Sequence, residues 1–410
     1  MMSSKNVLVM MSGGTTNVIN ATLVGVVRAA RDLANVGRVF AGVPGILGLL
    51  HGSFADLTDL SEDDLSRLYL TPASGFIGTT RVKILEKEEL RRIGEILAEK
   101  DIGYVLNIGG NGTIEQSRTL ARSLRGQVRV AALPKTVDND LGDPDFSHVY
   151  FTPGFPSCVN YWRHKVHVLN QENLGAHTHD RVLVAQTFGR KTGFIAGAAR
   201  FGDPNRELPL LLLLPEDQQP IEKVLAAVED VVRKRGRAIV VLSEGYDVGG
   251  LSERYDERGQ IMYGSSRTTA AQVLVNKCMD AGIQSRAFIP GVDQRSDILY
   301  AMENDLLYAH SLGYQGLASL SAGHSEFLQS ITRNLGSRTP LISRVSFSEI
   351  QNFSRALPGE WLRGGQFDVS DDYQTYLSDV VVGQPLYARE LFPSPGFVHM
   401  KESTPHKSTS

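Results

Sequence analysis

The chain has 410 residues, with 42 lysines and arginines against 45 aspartates and glutamates, and a formal charge of −3. That balance excludes a surface drawn to nucleic acid or anionic membrane by net charge, and 42% hydrophobic residues exclude a disordered or fibrous chain. Two cysteines, Cys158 and Cys278, cannot build a disulfide framework or a thiolate metal cluster. The N-terminal apolar run is too short for a signal peptide, and no stretch is long enough to span a bilayer. A cytoplasmic protein with no membrane or nucleic-acid partner is expected.

Short apolar runs with little polar alternation recur along the chain, as in strands buried on both faces of a parallel sheet. Val7–Met10 is the first. After Gly14, Val18, Ala21, Val24 and Gly25 share one face of a predicted helix. Val39–Val43 follows, then a charged segment striped by Leu90, Ile93, Ile96 and Leu97. The next runs are Tyr104–Ile108, Val128–Leu133, Arg181–Thr187 and Leu210–Leu214. Pro220 opens a helix carrying Val224, Leu225, Val228, Val231 and Val232, which closes in basic Arg233–Arg237 before the strand Ala238–Leu242. Strand and helix in alternation predict an α/β fold of two doubly wound domains, with mainly parallel sheets covered by helices on both faces. The first break falls near residue 150, and the polar tail 401–410 is expected to be disordered.

In such sheets ligands bind beyond the carboxyl ends of the strands, and four strand ends here carry chemistry. Gly13 and Gly14 follow the first, and Gly109-Gly-Asn-Gly-Thr113 follows the third. Both are glycine turns before a helix, able to present backbone N–H groups to a phosphate. The fourth strand runs into Pro134-Lys-Thr-Val-Asp-Asn-Asp140. If that segment is extended, Asp138 and Asp140 leave on one side, a pair suited to a general base and a Mg²⁺ ligand. Lys135 and Thr136 add a cation and a hydroxyl for a transferring phosphoryl group. Arg190 ends the strand that Arg181 begins, and Arg286 and Arg295 flank a Pro-Gly turn. Arginine forks suit phosphate. Glu244 follows another strand, as an acceptor for ligand hydroxyls such as a sugar's or as a simple strand-end carboxylate. His177 and His179 have no companion ligands and read as a loop.

In these motifs and their order the sequence resembles the phosphofructokinase A family. The matches run from Gly13-Gly14 through Gly78-Thr-Thr-Arg81, Gly109–Thr113, Pro134–Asp140, Thr152-Pro-Gly-Phe155, Phe188-Gly-Arg190 and Glu244 to Arg286 and Gln294-Arg295. The resemblance implies phosphoryl transfer to the 1-hydroxyl of fructose 6-phosphate or a related ketose phosphate. Asp138 would be the base, with Asp140, Thr136 and Arg190 beside it. Gly13, Gly14, Arg81, Gly110, Asn111, Gly112, Thr113 and Lys135 would hold the donor. Arg181, Glu244, Arg286 and Arg295 would bind the sugar phosphate, some of the arginines reaching in from a neighbouring subunit. Mg²⁺ would sit on Asn111 and Asp140. The resemblance also implies a homodimer or homotetramer. A donor-binding domain would take residues 1–150 with about 294–345, and a sugar-phosphate domain 151–293 with about 346–400.

Asn111, Val292, Asp293 and the loop after Gly14 depart from the family's usual pattern, and Gly112 stands at its donor-discriminating position. Asn111 replaces the usual aspartate, as in a pyrophosphate-using subgroup of similar length. Gly112 leaves room for the α-phosphate of ATP, where that subgroup carries Asp, so ATP is the expected donor and pyrophosphate the alternative. Val292 stands where many members carry a sugar-phosphate-binding histidine. A catalytically silent, ligand-binding member is the remaining alternative.

Overall fold

The computed structural model describes residues 4–83, 86–250, 268–334, 339–350 and 354–385. Its first part runs β1 (Lys5–Met11), α1 (Ile19–Asp32), β2 (Val36–Gly42), α2 (Gly45–His51), β3 (Phe54–Asp56), α3 (Glu62–Tyr69), α4 (Lys87–Glu99), β4 (Ile102–Gly109), α5 (Asn111–Leu124) and β5 (Arg129–Pro134). The middle holds α6 (Phe155–Ala176), β6 (Val182–Thr187), α7 (Phe194–Ala198), β7 (Leu210–Leu213), α8 (Ile221–Arg235), β8 (Ala238–Ser243), α9 (Ala270–Asp280), β9 (Ser285–Phe288) and α10 (Asp293–Ser296). The chain ends with α11 (Glu303–Ser321), β10 (Phe327–Thr332), β11 (Leu341–Ser346) and α12 (Asp371–Val380).

The strands form a seven-stranded sheet ordered β11-β10-β5-β4-β1-β2-β3 and a four-stranded sheet ordered β7-β8-β6-β9. The small sheet is parallel throughout. The large one is parallel except at its edges, where β3 and β11 pair antiparallel. The α/β architecture of mainly parallel sheets expected from the apolar runs is therefore present, with antiparallel pairing confined to the two edges of the large sheet. β10 returns the chain to the large sheet after the small one is complete.

Period-two side-chain alternation explains how both faces are covered. In β1, Val7, Val9 and Met11 pack with Ile19 and Leu23 of α1 and Leu317 of α11. Leu8 and Met10 pack oppositely, with Ile46 of α2 and Ile93 and Ile96 of α4. In the small sheet Leu183, Ala185 and Val241 meet α6 and α7, while Val184, Val240 and Leu242 meet α8 and α9. Each such side chain contributes roughly 1.5–3 kcal/mol by burial, so a polar residue on either face of these strands is disfavoured.

Among the described residues no helix is long and apolar enough to cross a membrane. Cys158 and Cys278 are buried free thiols. His177 and His179 follow α6 in an exposed turn, and no trio of metal-type side chains occurs among the described residues. The tail from Lys401 lies outside the described residues.

Candidate active site

β4 is hydrogen-bonded to β1 on one side and β5 on the other, with Met11 opposite Ile108 and Gly109 opposite Pro134. The segments that leave these three strands therefore emerge together. Between β1 and β4 the chain order reverses, the kind of point where open parallel sheets leave a crevice. The Gly13 N–H donates to the Thr80 carbonyl at 3.0 Å, and the Ser12 hydroxyl donates to the same oxygen at 3.1 Å. This clips the segment carrying Arg81 beside the first glycine turn. The second turn is shorter than the sequence suggests, because α5 already begins at Asn111. Asn111, Gly112 and Thr113 are thus the helix's first turn; the N–H groups of Asn111 and Gly112 lack intrahelical acceptors, while that of Thr113 donates to the Gly110 carbonyl at 2.9 Å. A Cβ on Gly112 would lie 3.1 Å from Lys83 Cε and 3.5 Å from its Nζ. Lys83 therefore covers the room that Gly112 leaves.

Lys135 is 2% exposed. Its ammonium donates to the Ser12 carbonyl at 3.0 Å and to the Gly14 carbonyl, tying the third segment under the first turn. Burial, with the charge of Arg295 next, pulls its pKa down to about 7, against the pull of Asp138.

The aspartate segment is not extended. Asn139 has φ +55°, and this left-handed residue kinks the chain between the two carboxylates. The expected same-side pair of an extended strand is therefore replaced by two differently placed groups. Asp138 is partly exposed, accepts from the Thr136 hydroxyl at 3.3 Å, and donates its N–H back to Thr136 Oγ1 at 3.2 Å. Desolvation raises its pKa, with Arg190 the strongest opposing charge. Asp140 lies deeper. Burial first and then the Asp138 charge raise it to about 7. The Asn111 amide points its Nδ2 at Asp140 Oδ2 across 3.5 Å, and Asn111 Oδ1 is buried with no partner.

The small sheet supplies the opposite wall. Thr187 at the end of β6 pairs with Ser243 at the end of β8, so Phe188–Arg190 and Glu244 emerge side by side. Arg190 has φ +53°; its N–H donates to Glu244 Oε1 at 3.2 Å and its carbonyl accepts from the Ser243 hydroxyl at 3.1 Å. Burial first, then Asp138, lifts the Glu244 pKa to about 8. Gln294 anchors α10 by accepting from the Phe188 N–H at 2.8 Å and the Trp162 indole at 3.1 Å. Arg295 then lies 5.1 Å above the Phe188 ring, and its Nη1 is 2.7 Å from where a Gly14 Cβ would sit. Its Nε is buried without a partner. One arginine thus bridges the small-sheet wall and the first glycine turn.

Lys135, Arg190 and Arg295 act electrostatically on Asp138, and Arg81 on Lys135 and Arg295. A carboxylate facing clustered cations is suited to binding a polyanion and accepting a proton beside it. Two predicted members are not brought here by this chain. Arg181 precedes β6, and Arg286 is the second residue of β9, opposite Leu183. Both sit at the amino ends of their strands, about 20 Å of strand away from Arg190. Arg286 pairs with Glu172 and Asp180 at 3.4 and 3.5 Å. Val292 is 56% exposed. Lys83 was not among the predicted residues, although it lies two residues beyond the motif that ends at Arg81.

Residues 6–319 match the family model described as phosphofructokinase. A pyrophosphate–fructose 6-phosphate 1-phosphotransferase of Methylococcus capsulatus is 30% identical over a 409-position alignment covering 95% of each chain. An ATP-dependent 6-phosphofructokinase of Persephonella marina is 25% identical, covering 75% of this chain and 93% of its own. The crystal structure of a pyrophosphate-dependent phosphofructokinase from Nitrosospira multiformis aligns with a TM-score of 0.82 at 27% identity, covering 94% and 96% of the two chains. The preference for ATP draws no support from these matches, since the two that span nearly the whole chain are named for pyrophosphate. With its glycine cradle, aspartate turn and arginine wall in one cleft, the chain belongs to the phosphofructokinase family.

Proposed function

We propose that this protein transfers a phosphoryl group from pyrophosphate to the 1-hydroxyl of fructose 6-phosphate. The observation that carries the reading is the convergence of Asp138, Lys135, Arg190 and Arg295 between two glycine turns. Phosphoryl transfer needs positioning and charge stabilisation more than covalent chemistry. The donor's phosphates lie against the first turn of α5 and Gly14, within reach of Arg81 and Lys83. Asp138 takes the proton of the sugar hydroxyl, with Thr136 orienting its carboxylate. Arg190 faces the charge that develops on the transferring group. Glu244 accepts sugar hydroxyls, and Arg295 binds the sugar's own phosphate. Arg181 and Arg286, remote from this cleft, serve the cleft of a second copy in a homodimer or homotetramer.

Pyrophosphate is preferred to ATP for two reasons. The relatives matching over nearly the full length use it by name. Lys83 also fills the space beside Gly112 that an α-phosphate requires.

The donor set suits Mg²⁺. Asp140 and the unpartnered Asn111 Oδ1 are oxygen ligands of the kind that ion takes, and phosphate oxygens and water complete its shell in such sites. Bound there, it would neutralise charge on the donor.

A donor-by-sugar activity matrix tests the reading. Turnover is expected with pyrophosphate, Mg²⁺ and fructose 6-phosphate, and little with ATP. Turnover with ATP alone refutes the donor assignment, and none with either donor across ketose phosphates refutes the function.

A further inference from the structure

The kink at Asn139 sets where both carboxylates point. Within its own loop Thr152 bonds to its side chain, and its other partners come from far along the chain. Arg355 is 2% exposed and donates from Nε to the Asn139 carbonyl at 2.8 Å and from Nη2 to Asn139 Oδ1 at 2.7 Å. Its own N–H donates to the Asp140 carbonyl at 2.8 Å. Nη1 donates to the Val149 carbonyl, and the guanidinium carbon stacks 4.0 Å from the Phe146 ring centre. Tyr376 of α12 completes the frame. Its hydroxyl accepts from Asn139 Nδ2 at 2.9 Å and donates to the Tyr150 carbonyl at 2.9 Å. The Thr152 N–H donates to Asn139 Oδ1 at 3.2 Å.

Two features argue against a simple tether. First, among the described residues Arg355 has no carboxylate in ion-pair range, so its hydrogen bonds go to backbone carbonyls and the Asn139 amide, with aromatic rings beside it and Asp140 and Asp143 acting only at longer range. Burying a guanidinium is costly unless hydrogen bonds satisfy its protons, and here two of those bonds converge on Asn139. Second, both Arg355 and Tyr376 lie after the family-matched residues 6–319, while all that they grip on Asn139 lies within them. A left-handed non-glycine residue costs about 1–3 kcal/mol and persists only where surroundings over-determine it. Here five hydrogen bonds to Asn139 side-chain and backbone atoms do so, three of them from or to Arg355 and Tyr376.

We propose that Arg355 and Tyr376 are positioning residues for the reaction: they lock Asn139 in its left-handed conformation, and so set the placement of Asp138 and Asp140 without touching substrate. This rests on the assignment of Asp138 as the base.

Four variants test it in the full-length protein, with pyrophosphate and fructose 6-phosphate as substrates. Tyr376→Phe removes one hydroxyl and no packing, and should lower kcat several-fold with KM within about twofold. Arg355→Lys keeps charge but loses the fork, and should lower kcat by on the order of a hundredfold, the scale of a 1 Å misplacement. Arg355→Met should do worse, so that lysine gives partial rescue. Asp368→Asn, which breaks the buried contacts of Asp368 with Arg200 and Arg206 elsewhere in the same C-terminal region, is the control. It should lower thermal stability with kcat unchanged. If folded Tyr376→Phe and Arg355→Lys keep wild-type kcat, or lose no more than the control, the proposal is overturned. A crystal structure of Tyr376→Phe or Arg355→Lys gives a readout independent of turnover. Asn139 should leave its positive φ in at least one of them. An unaltered turn in both overturns the proposal even if the wild-type protein proves silent with every donor, an outcome that would itself defeat the functional reading.

Discussion

Replacing Gly25 by alanine separates local propensity from tertiary packing. Gly25 lies inside α1, where alanine is favoured over glycine by about 1 kcal/mol. A Cβ there would meet the His310 carbonyl oxygen of α11 at 2.0 Å, and the reciprocal Gly313 of α11 would bring a Cβ to 2.0 Å from the Thr22 carbonyl oxygen. Carbon–oxygen contacts between helices normally lie near ~3.3–3.6 Å. The two backbones must therefore part by more than an ångström, with no side-chain rotamer available to relieve the contact. Overpacking of this kind costs about 1–3 kcal/mol, and a backbone clash belongs at or above the top of that range. After the propensity gain, a net loss of about 2 kcal/mol is expected. Gly94→Ala in α4 is the matched control. Its Cβ would lie 3.8 Å from Leu124 Cδ2, an ordinary contact, so the variant should gain about 0.5–1 kcal/mol. Urea denaturation with an unchanged m-value reads both. If Gly25→Ala matches or exceeds Gly94→Ala in midpoint, the close crossing of α1 and α11 is wrong.

Asp138→Ala should lower kcat by on the order of a hundredfold or more with KM little changed, since the base acts in the transition state; unchanged turnover would remove the base assignment. Gly14→Ala needs no unusual backbone and meets only the end of Arg295, so it should displace that guanidinium, raise KM for the sugar phosphate as well as for the donor that lies against Gly14, and leave the urea midpoint unmoved. A sugar-phosphate KM within error of the parent would remove Arg295 from the sugar-phosphate site. Burial raises the fully buried Asp305 from 3.8 to about 6, against hydrogen bonds from Gly154 and Ser157 that pin the start of α6 to α11. Its folded pKa lies above its unfolded one, so this contribution is fully present below about pH 4 and lost as pH rises through about 6, some 3 kcal/mol in all. Asp305→Asn should flatten the stability curve by that amount between pH 4 and 6, and an unchanged slope in urea titrations would refute it.

The parallel sheets were legible because their strands are buried on both faces and so appear as uninterrupted apolar runs, as in Val182–Thr187 and Ala238–Ser243. The same rule hid α6. Its residues Phe155–Trp162 are buried on every side, which leaves no stripe of helical period to read. β9, β10 and β11 went unread, the last two being polar-containing strands set by pairing with a neighbour rather than by their own pattern.

By itself the sequence determined which chemical groups follow which strands: the glycine turns, Lys135, the two aspartates, Arg190 and Glu244. Those assignments depend on local order along the chain, which residue type and spacing carry. Only the tertiary structure decided that Asn139 kinks the aspartate pair apart, that Lys83 covers Gly112, that Arg295 reaches Gly14, and that Arg181 and Arg286 do not reach this cleft. Each of these is a contact between residues tens to hundreds of positions apart, or a backbone state such a contact imposes. No pattern read along a single segment contains it, because the energy that selects it resides in a partner elsewhere in the chain.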